Sequence, residues 1–271
     1  MMQFIKKAVL LSLVLTMALV FLTSCSRDYG KAKKKADEAL TKQAYTVDVE
    51  LDFECDDDTV SGVFEQLENA STKLYFKDGY FKAEDTLIIS YENNGQAVTT
   101  AFKMTYTSLA GIIYSNMIYT SGGTQQRDVK SKAVINDELL GAFAGRLAFI
   151  GELSGEYFGE ATKGKRGGES FIVYSGANDG ARVILEEAMA KKLEGSSDSI
   201  ELKDARLTVE IEDGKYDTVT VECEYEITMQ GKAYPVGAEI ELDFGYGESF
   251  DISVPADADS YGSTELENII G

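Results

Sequence analysis

The sequence contains no histidine and no tryptophan, and only two prolines in 271 residues. Each absence removes something. Without imidazole, this chain by itself assembles no Ser-His-Asp or Cys-His nucleophile, no His-ligated zinc and no imidazole acid–base pair. Without tryptophan it lacks a common sugar-stacking platform, although fifteen tyrosines offer rings. Two prolines and no Ser/Pro-rich tract leave no long linker. Positive charge is scarce too: 26 Lys and Arg face 46 Asp and Glu, a formal charge of −20. Such a field repels nucleic-acid phosphates and an anionic bilayer surface alike. Phosphate and calcium motifs are also missing. Gly164-Lys165-Arg166-Gly167-Gly168 lacks the P-loop spacing and its Lys-Ser/Thr ending. Neither Asp56-Asp57-Asp58 nor Asn178-Asp179-Gly180 extends into an EF-hand loop. No carboxylate pair stands out as a hydrolase acid and base. The expectation is a non-enzymatic chain with no metal, no cofactor and no nucleic-acid partner.

What is present begins at the N-terminus. Lys6 and Lys7 precede an apolar run from Ala8 to Phe21. That run is short for a membrane span and sits where a signal peptide belongs. It ends in Leu22-Thr23-Ser24-Cys25, which matches the lipobox of bacterial lipoproteins. The match implies a signal peptide over residues 1–24, lipid on Cys25, and an extracytoplasmic protein held to the cell membrane. Several acyl chains, at about 0.8 kcal/mol per buried methylene, hold firmly where one does not. Loss of Lys6 and Lys7 makes the mature chain two charges more acidic. Lys31, Lys33, Lys34 and Lys35 follow the anchor closely. They either meet anionic headgroups or form the solvated face of a helix. Cys55 and Cys223 have two readings as well, a disulfide permitted by the compartment or two separate buried thiols.

Residues 25–45 read as an anchor segment and a helix, Asp28 to Gln43, with a weak stripe of Ala32, Ala36, Ala39 and Leu40. Residues 46–255 read as a single β-sheet domain. Val47, Val49, Leu51, Phe53 and Cys55 alternate with Asp48, Glu50, Asp52 and Glu54, the period of a strand with one wet face. A turn at 56–58 and a short helix over 61–69 follow. Strands then alternate with turns at Asp78-Gly79, Asn93-Asn94-Gly95 and Gly122-Gly123. Residues 111–120 are apolar in both phases, so that strand is central or covered on both sides. Helices are expected at 136–150 and 178–194, and a hairpin over 156–175 turning at Gly164 to Gly168. From Ala205 onward the pattern is an antiparallel meander with a hairpin signal at Asp213-Gly214. Its last strand carries Phe250, Ile252 and Val254 up to Pro255, and a frayed tail runs over 256–271.

So many one-sided strands need a cover, since exposed apolar area costs roughly 25 cal/mol per Å². The fold class is therefore mainly β with helices (α+β): a strongly curved antiparallel sheet, a half-barrel, with the inserted helices over its concave face. Such an arrangement often leaves an apolar hollow. Leu51, Phe53, Phe102, Met104, Leu140, Phe143, Leu147, Val221, Tyr225 and Ile240 are the candidates to line it. On the polar phase, Glu222, Glu224 and Glu226 and Glu239, Glu241 and Asp243 would repel if their strands adjoin.

The lipobox, the helix running into Tyr45-Thr46-Val47-Asp48, and the ending Ile252-Ser253-Val254-Pro255 together resemble the LolA/LppX-type half-barrel lipoproteins and their Gram-positive relatives. The likeness is one of pattern over residues 30–255. It implies a curved sheet enclosing helices and, in some members, lipid or lipoprotein binding. The function expected is thus a lipid-anchored protein that binds a lipid or acyl chain against the sheet. The alternative is a structural or protein-interaction lipoprotein without a cavity.

Overall fold

The computed structural model describes residues 27–57, 61, 69–93, 96–135, 158, 160–166, 169–177, 199–229, 231–247, 249–265 and 269. Cys25, the expected helices at 136–150 and 178–194, and most of that at 61–69 lie outside the described residues. One long helix is described, α1 (Arg27–Lys42), within a residue of its expected bounds at either end. The strands are β1 (Tyr45–Glu54), β2 (Ser71–Lys77), β3 (Tyr80–Asn93), β4 (Gln96–Leu109), β5 (Ile112–Ser121), β6 (Thr124–Val134), β7 (Glu160–Arg166), β8 (Glu169–Ala177), β9 (Ser199–Glu212), β10 (Lys215–Met229), β11 (Lys232–Tyr246) and β12 (Gly262–Ser263). Among the described residues the fold is thus mostly β. The strand order is β12-β6-β5-β4-β3-β2-β1-β11-β10-β9-β8-β7. Successive strands from β1 to β6 and from β7 to β11 pair antiparallel, and β12 joins β6 in parallel.

The chain forms two compact units. Unit 1 comprises Met1–Thr41, Glu50–Glu68 and Gly145–Phe244, and unit 2 comprises Lys42–Val49, Asn69–Ala144 and Gly245–Gly271.

In unit 1 the alternation reads through to burial. Leu207, Val209 and Ile211 of β9, Val219, Val221 and Cys223 of β10, and Ala238, Ile240 and Leu242 of β11 are buried. β9 and β10 are joined at Asp213 (φ 46°) and Gly214 (φ 75°), the two left-handed residues that a two-residue hairpin of right twist requires. The expected hairpin near 164 is β7–β8, with Gly164 opposite Phe171. Tyr29, Ala36 and Ala39 of α1 are buried, and Tyr29 packs against Phe158 and Tyr174.

In unit 2 the core gathers Phe81, Ile113, Ala133, Ile135 and Ile269, with Phe76 and Tyr106 against it. β4 and β5 turn through Ala110 (φ 52°) and Gly111 (φ 77°). Ile113 and Tyr114 are both buried, so β5 is covered on both faces there. The second cover is Tyr261, edge-on to Tyr114 at 5.5 Å.

Two expectations about the C-terminal region are corrected. Residues 250–254 form no strand. β11 already has β1 and β10 as neighbours, so a chain leaving it by a tight turn finds no free edge beside it. Phe250 instead packs on Tyr75, and its carbonyl accepts from Lys77 Nζ at 3.3 Å. Nor is the described tail frayed. Asp257 pairs with Lys130 at 2.7 Å, the Ala258 carbonyl accepts from Lys132 Nζ, and Gly262–Ser263 pairs with Ser131 and Lys132.

Candidate functional site

The polar phase of unit 1 collects on one side of β9, β10, β11 and the second half of β1. The register sets which charges meet. Glu222 stands opposite Glu239 on one flank and Arg206 on the other. Thr220 and Thr218 stand opposite Glu241 and Asp243, and the Thr218 hydroxyl donates to Asp243 at 3.1 Å. One register step thus replaces two acid–acid confrontations by threonine–acid pairs. Arg206 Nε lies 3.9 Å from Glu222 Oε2, and Lys203 lies 2.8 Å from Glu201 and 4.0 Å from Glu226. The repulsion left over shows at Glu241. Its carboxyl is held above the usual range by partial burial first, then by Asp243, Glu239 and Glu50.

Within this face lies a hollow of about 420 Å³. Asp52, Glu54, Asp204, Glu222, Glu224 and Glu239 line it with one guanidinium, Arg206. Two local features make the room. Gly237 sits opposite Glu224 with no side chain, and a Cβ there would lie 3.5 Å from that of Glu54. The β9–β10 register also slips: Glu224 faces Asp204 but Tyr225 faces Leu202, leaving Lys203 as a bulge residue. Asp204 Oδ1 fixes the slip by accepting from the Ala205 amide at 2.8 Å.

Chemically this surface offers mainly carboxylate acceptors, suited to ammonium and guanidinium groups. Among the described residues no three His, Cys, Asp or Glu side chains converge as a metal site. The Cys223 thiol below the hollow is pushed up to about 12 by burial, so at neutral pH it is protonated and not a nucleophile.

The residues expected around an apolar hollow are distributed as follows. Leu140, Phe143 and Leu147 lie outside the described residues. Val221 and Ile240 are cross-strand partners, each 0 % exposed, and Tyr225 is 1 % exposed. Phe53 is buried and Leu51 half-buried on β1. Phe102 and Met104 belong to unit 2, both half-buried, with Phe102 against Tyr119 at 4.9 Å and Met104 accepting from the Tyr106 hydroxyl. Cys55 and Cys223 are free thiols. β11 lies between β1 and β10, so the two cysteines stand two strand spacings apart, about 9.5 Å. A disulfide needs Cα atoms within about 7 Å. Sequence reasoning missed Gly237 and Arg206. A glycine inside the strand pattern Val236-Gly237-Ala238 was the available signal.

No family model matches this chain, and no curated protein matches it. Among solved structures, a beta-barrel-like protein of the domain of unknown function DUF1849, from Brucella abortus, is similar with a TM-score of 0.30 and 8% identity. The match covers 75% of this chain and 98% of that one. A likeness at that level fixes neither fold nor function.

Proposed function

We propose that this chain is a non-catalytic binding protein of the extracytoplasmic space, tethered by lipid on Cys25, that takes a cationic partner on the carboxylate face of unit 1. The observation that carries the reading is the contrast between the two faces. Val221, Ile240 and Tyr225 are closed over by the protein itself, whereas the hollow lined by Asp52, Glu54, Glu222, Glu224 and Glu239 opens on the other side. A cleft lined mostly by one sign of charge concentrates oppositely charged partners and speeds their arrival.

A second reading keeps the apolar ligand. In it the sheet is a half-barrel closed by the segments at 136–150 and 178–194, and a lipid lies against its buried face. The Tyr225 hydroxyl favours it, being buried with no hydrogen-bond partner among the described residues. A ligand carbonyl would satisfy that group, which otherwise costs about 1–3 kcal/mol.

The test uses a soluble Cys25→Ser form and a short lysine-rich peptide. Binding should weaken steeply with salt and fall about tenfold in Glu222→Gln/Glu224→Gln/Glu239→Gln. Asp78→Asn/Asp251→Asn/Asp259→Asn carries the same net charge and should bind as the parent does. Equal weakening in both variants would reduce the effect to net charge and remove the proposal.

A further inference from the structure

α1 carries lysines at 31, 33, 34 and 35, and the structure separates them. Lys33 is held inside the protein's own network, 2.6 Å from Asp37 with its side chain only 17% exposed. Lys31, Lys34 and Lys35 are exposed, and among the described residues none of them enters an ion pair. Positions i, i+3 and i+4 place these three on one stripe of the helix, where like charges destabilise by about 0.2–0.5 kcal/mol per pair. Acids outnumber bases 46 to 26 in this chain, yet the three lysines stand together on one stripe with no partner among the described residues. The roll of the helix is fixed by Tyr29, Ala36 and Ala39, all buried, and by the Tyr216 hydroxyl on Asp37 at 2.8 Å. The stripe is therefore presented by a docked helix, with the stem of Lys35 resting 3.5 Å from where a Cβ on Gly214 would be.

Position along the chain identifies the partner. Arg27, the first residue of α1, is two residues beyond Cys25, a reach of at most about 7 Å. If Cys25 carries lipid, Lys31 to Lys35 lie at most about 13–19 Å from it, one to two Debye lengths from the headgroups. The rest of the chain is repelled from an anionic surface; this stripe is attracted to it. We propose that Lys31, Lys34 and Lys35 form a docking surface for anionic lipid headgroups that sets how the tethered protein stands on the membrane. The proposal rests on the tether assigned to Cys25 above.

The test uses the full chain as processed and lipidated in a bacterial host, reconstituted into vesicles of phosphatidylcholine, or of phosphatidylcholine with a third replaced by phosphatidylglycerol. An amine-acylating reagent and peptide mass spectrometry give the labelling rate of each lysine, with Lys163, Lys165 and Lys215 as internal references. The expected result is severalfold slower labelling of Lys31, Lys34 and Lys35 in the anionic vesicles only, restored by high salt. Equal rates in both vesicles overturn the docking surface and leave the tether standing. Equal slowing by soluble polyphosphate on neutral vesicles also overturns it, in favour of an anionic polymer. A protein that floats with neither vesicle and shows bare Cys25 by mass removes the tether and the proposal together.

Discussion

The Tyr216 hydroxyl donates to one oxygen of Asp37 at 2.8 Å, while Lys33 holds the other at 2.6 Å. One carboxylate on α1 thus ties the helix to β10 and to its own preceding turn. Tyr216 is fully buried, Asp37 is not. Tyr29 lies beside this pair, and its hydroxyl is pushed far above the usual tyrosine range by burial, then by Asp37 and Tyr174. α1 is in this way built into unit 1.

Removing the two partners of that bond should not cost the same. Tyr216→Phe leaves a carboxylate that Lys33 and water still serve, so about 1–2 kcal/mol is expected. Asp37→Ala removes the acceptor of a buried hydroxyl and the partner of Lys33 together and should cost more, about 2–3 kcal/mol. Urea unfolding of the Cys25→Ser form with each substitution checks the order.

The thiols should behave differently in the folded state. In a Cys25→Ser background, a disulfide-exchange reagent at pH 8 should modify Cys55 and leave Cys223 until the protein unfolds. Burial raises the Cys223 thiol from 9.0 to about 12. The folded state therefore holds that proton more tightly. This contribution to stability is complete below about pH 9 and is lost as pH rises toward 12. Reduction should not change the mobility of the protein, since no disulfide spans β11.

Glu241→Gln should stabilise at neutral pH by about 0.2–1 kcal/mol, the scale of a cross-strand charge effect on an open face. The folded carboxyl titrates above 4.5, so the folded state binds its proton more readily than the unfolded chain does. The advantage of the protonated form is present below 4.5 and lost as pH rises through the higher folded value. The gain from glutamine should accordingly vanish in acid. Thermal unfolding at pH 4 and pH 7 reads it.

Backbone geometry gives two opposite outcomes. Ala110 sits at φ 52°, where an L side chain is strained, so Ala110→Asn should stabilise by about 0.5–1 kcal/mol. At Gly164 an added Cβ would fall 2.6 Å from the Phe171 ring. Gly164→Ala should displace that ring and loosen β7–β8, seen as faster amide exchange along the hairpin.

What the sequence made legible was local. Period two in Val47 to Phe53 and in Val219 to Ile227 marked β1 and β10, and Asp213-Gly214 marked the kind of turn that leads into β10 before any neighbour was known. The fate of residues 250–265 was not legible, because it depends on β1 lying beside β11. Those strands are far apart in sequence, and no local pattern records that adjacency. The hollow was hidden for the same reason. Gly237 opens space only because Glu54 and Glu224 flank it. The acid rows, by contrast, were read directly, and the register that relieves them follows from how β10 meets β11.

Whether this protein works on its carboxylate face or behind it is decided by quantitative mass spectrometry of lipid extracted from the purified Cys25→Ser form. Far less than one lipid per chain is expected, since Val221, Tyr225 and Ile240 are already covered by the protein. A lipid recovered at one per chain, and lost when Tyr225 or Val221 is enlarged or made polar, would contradict it.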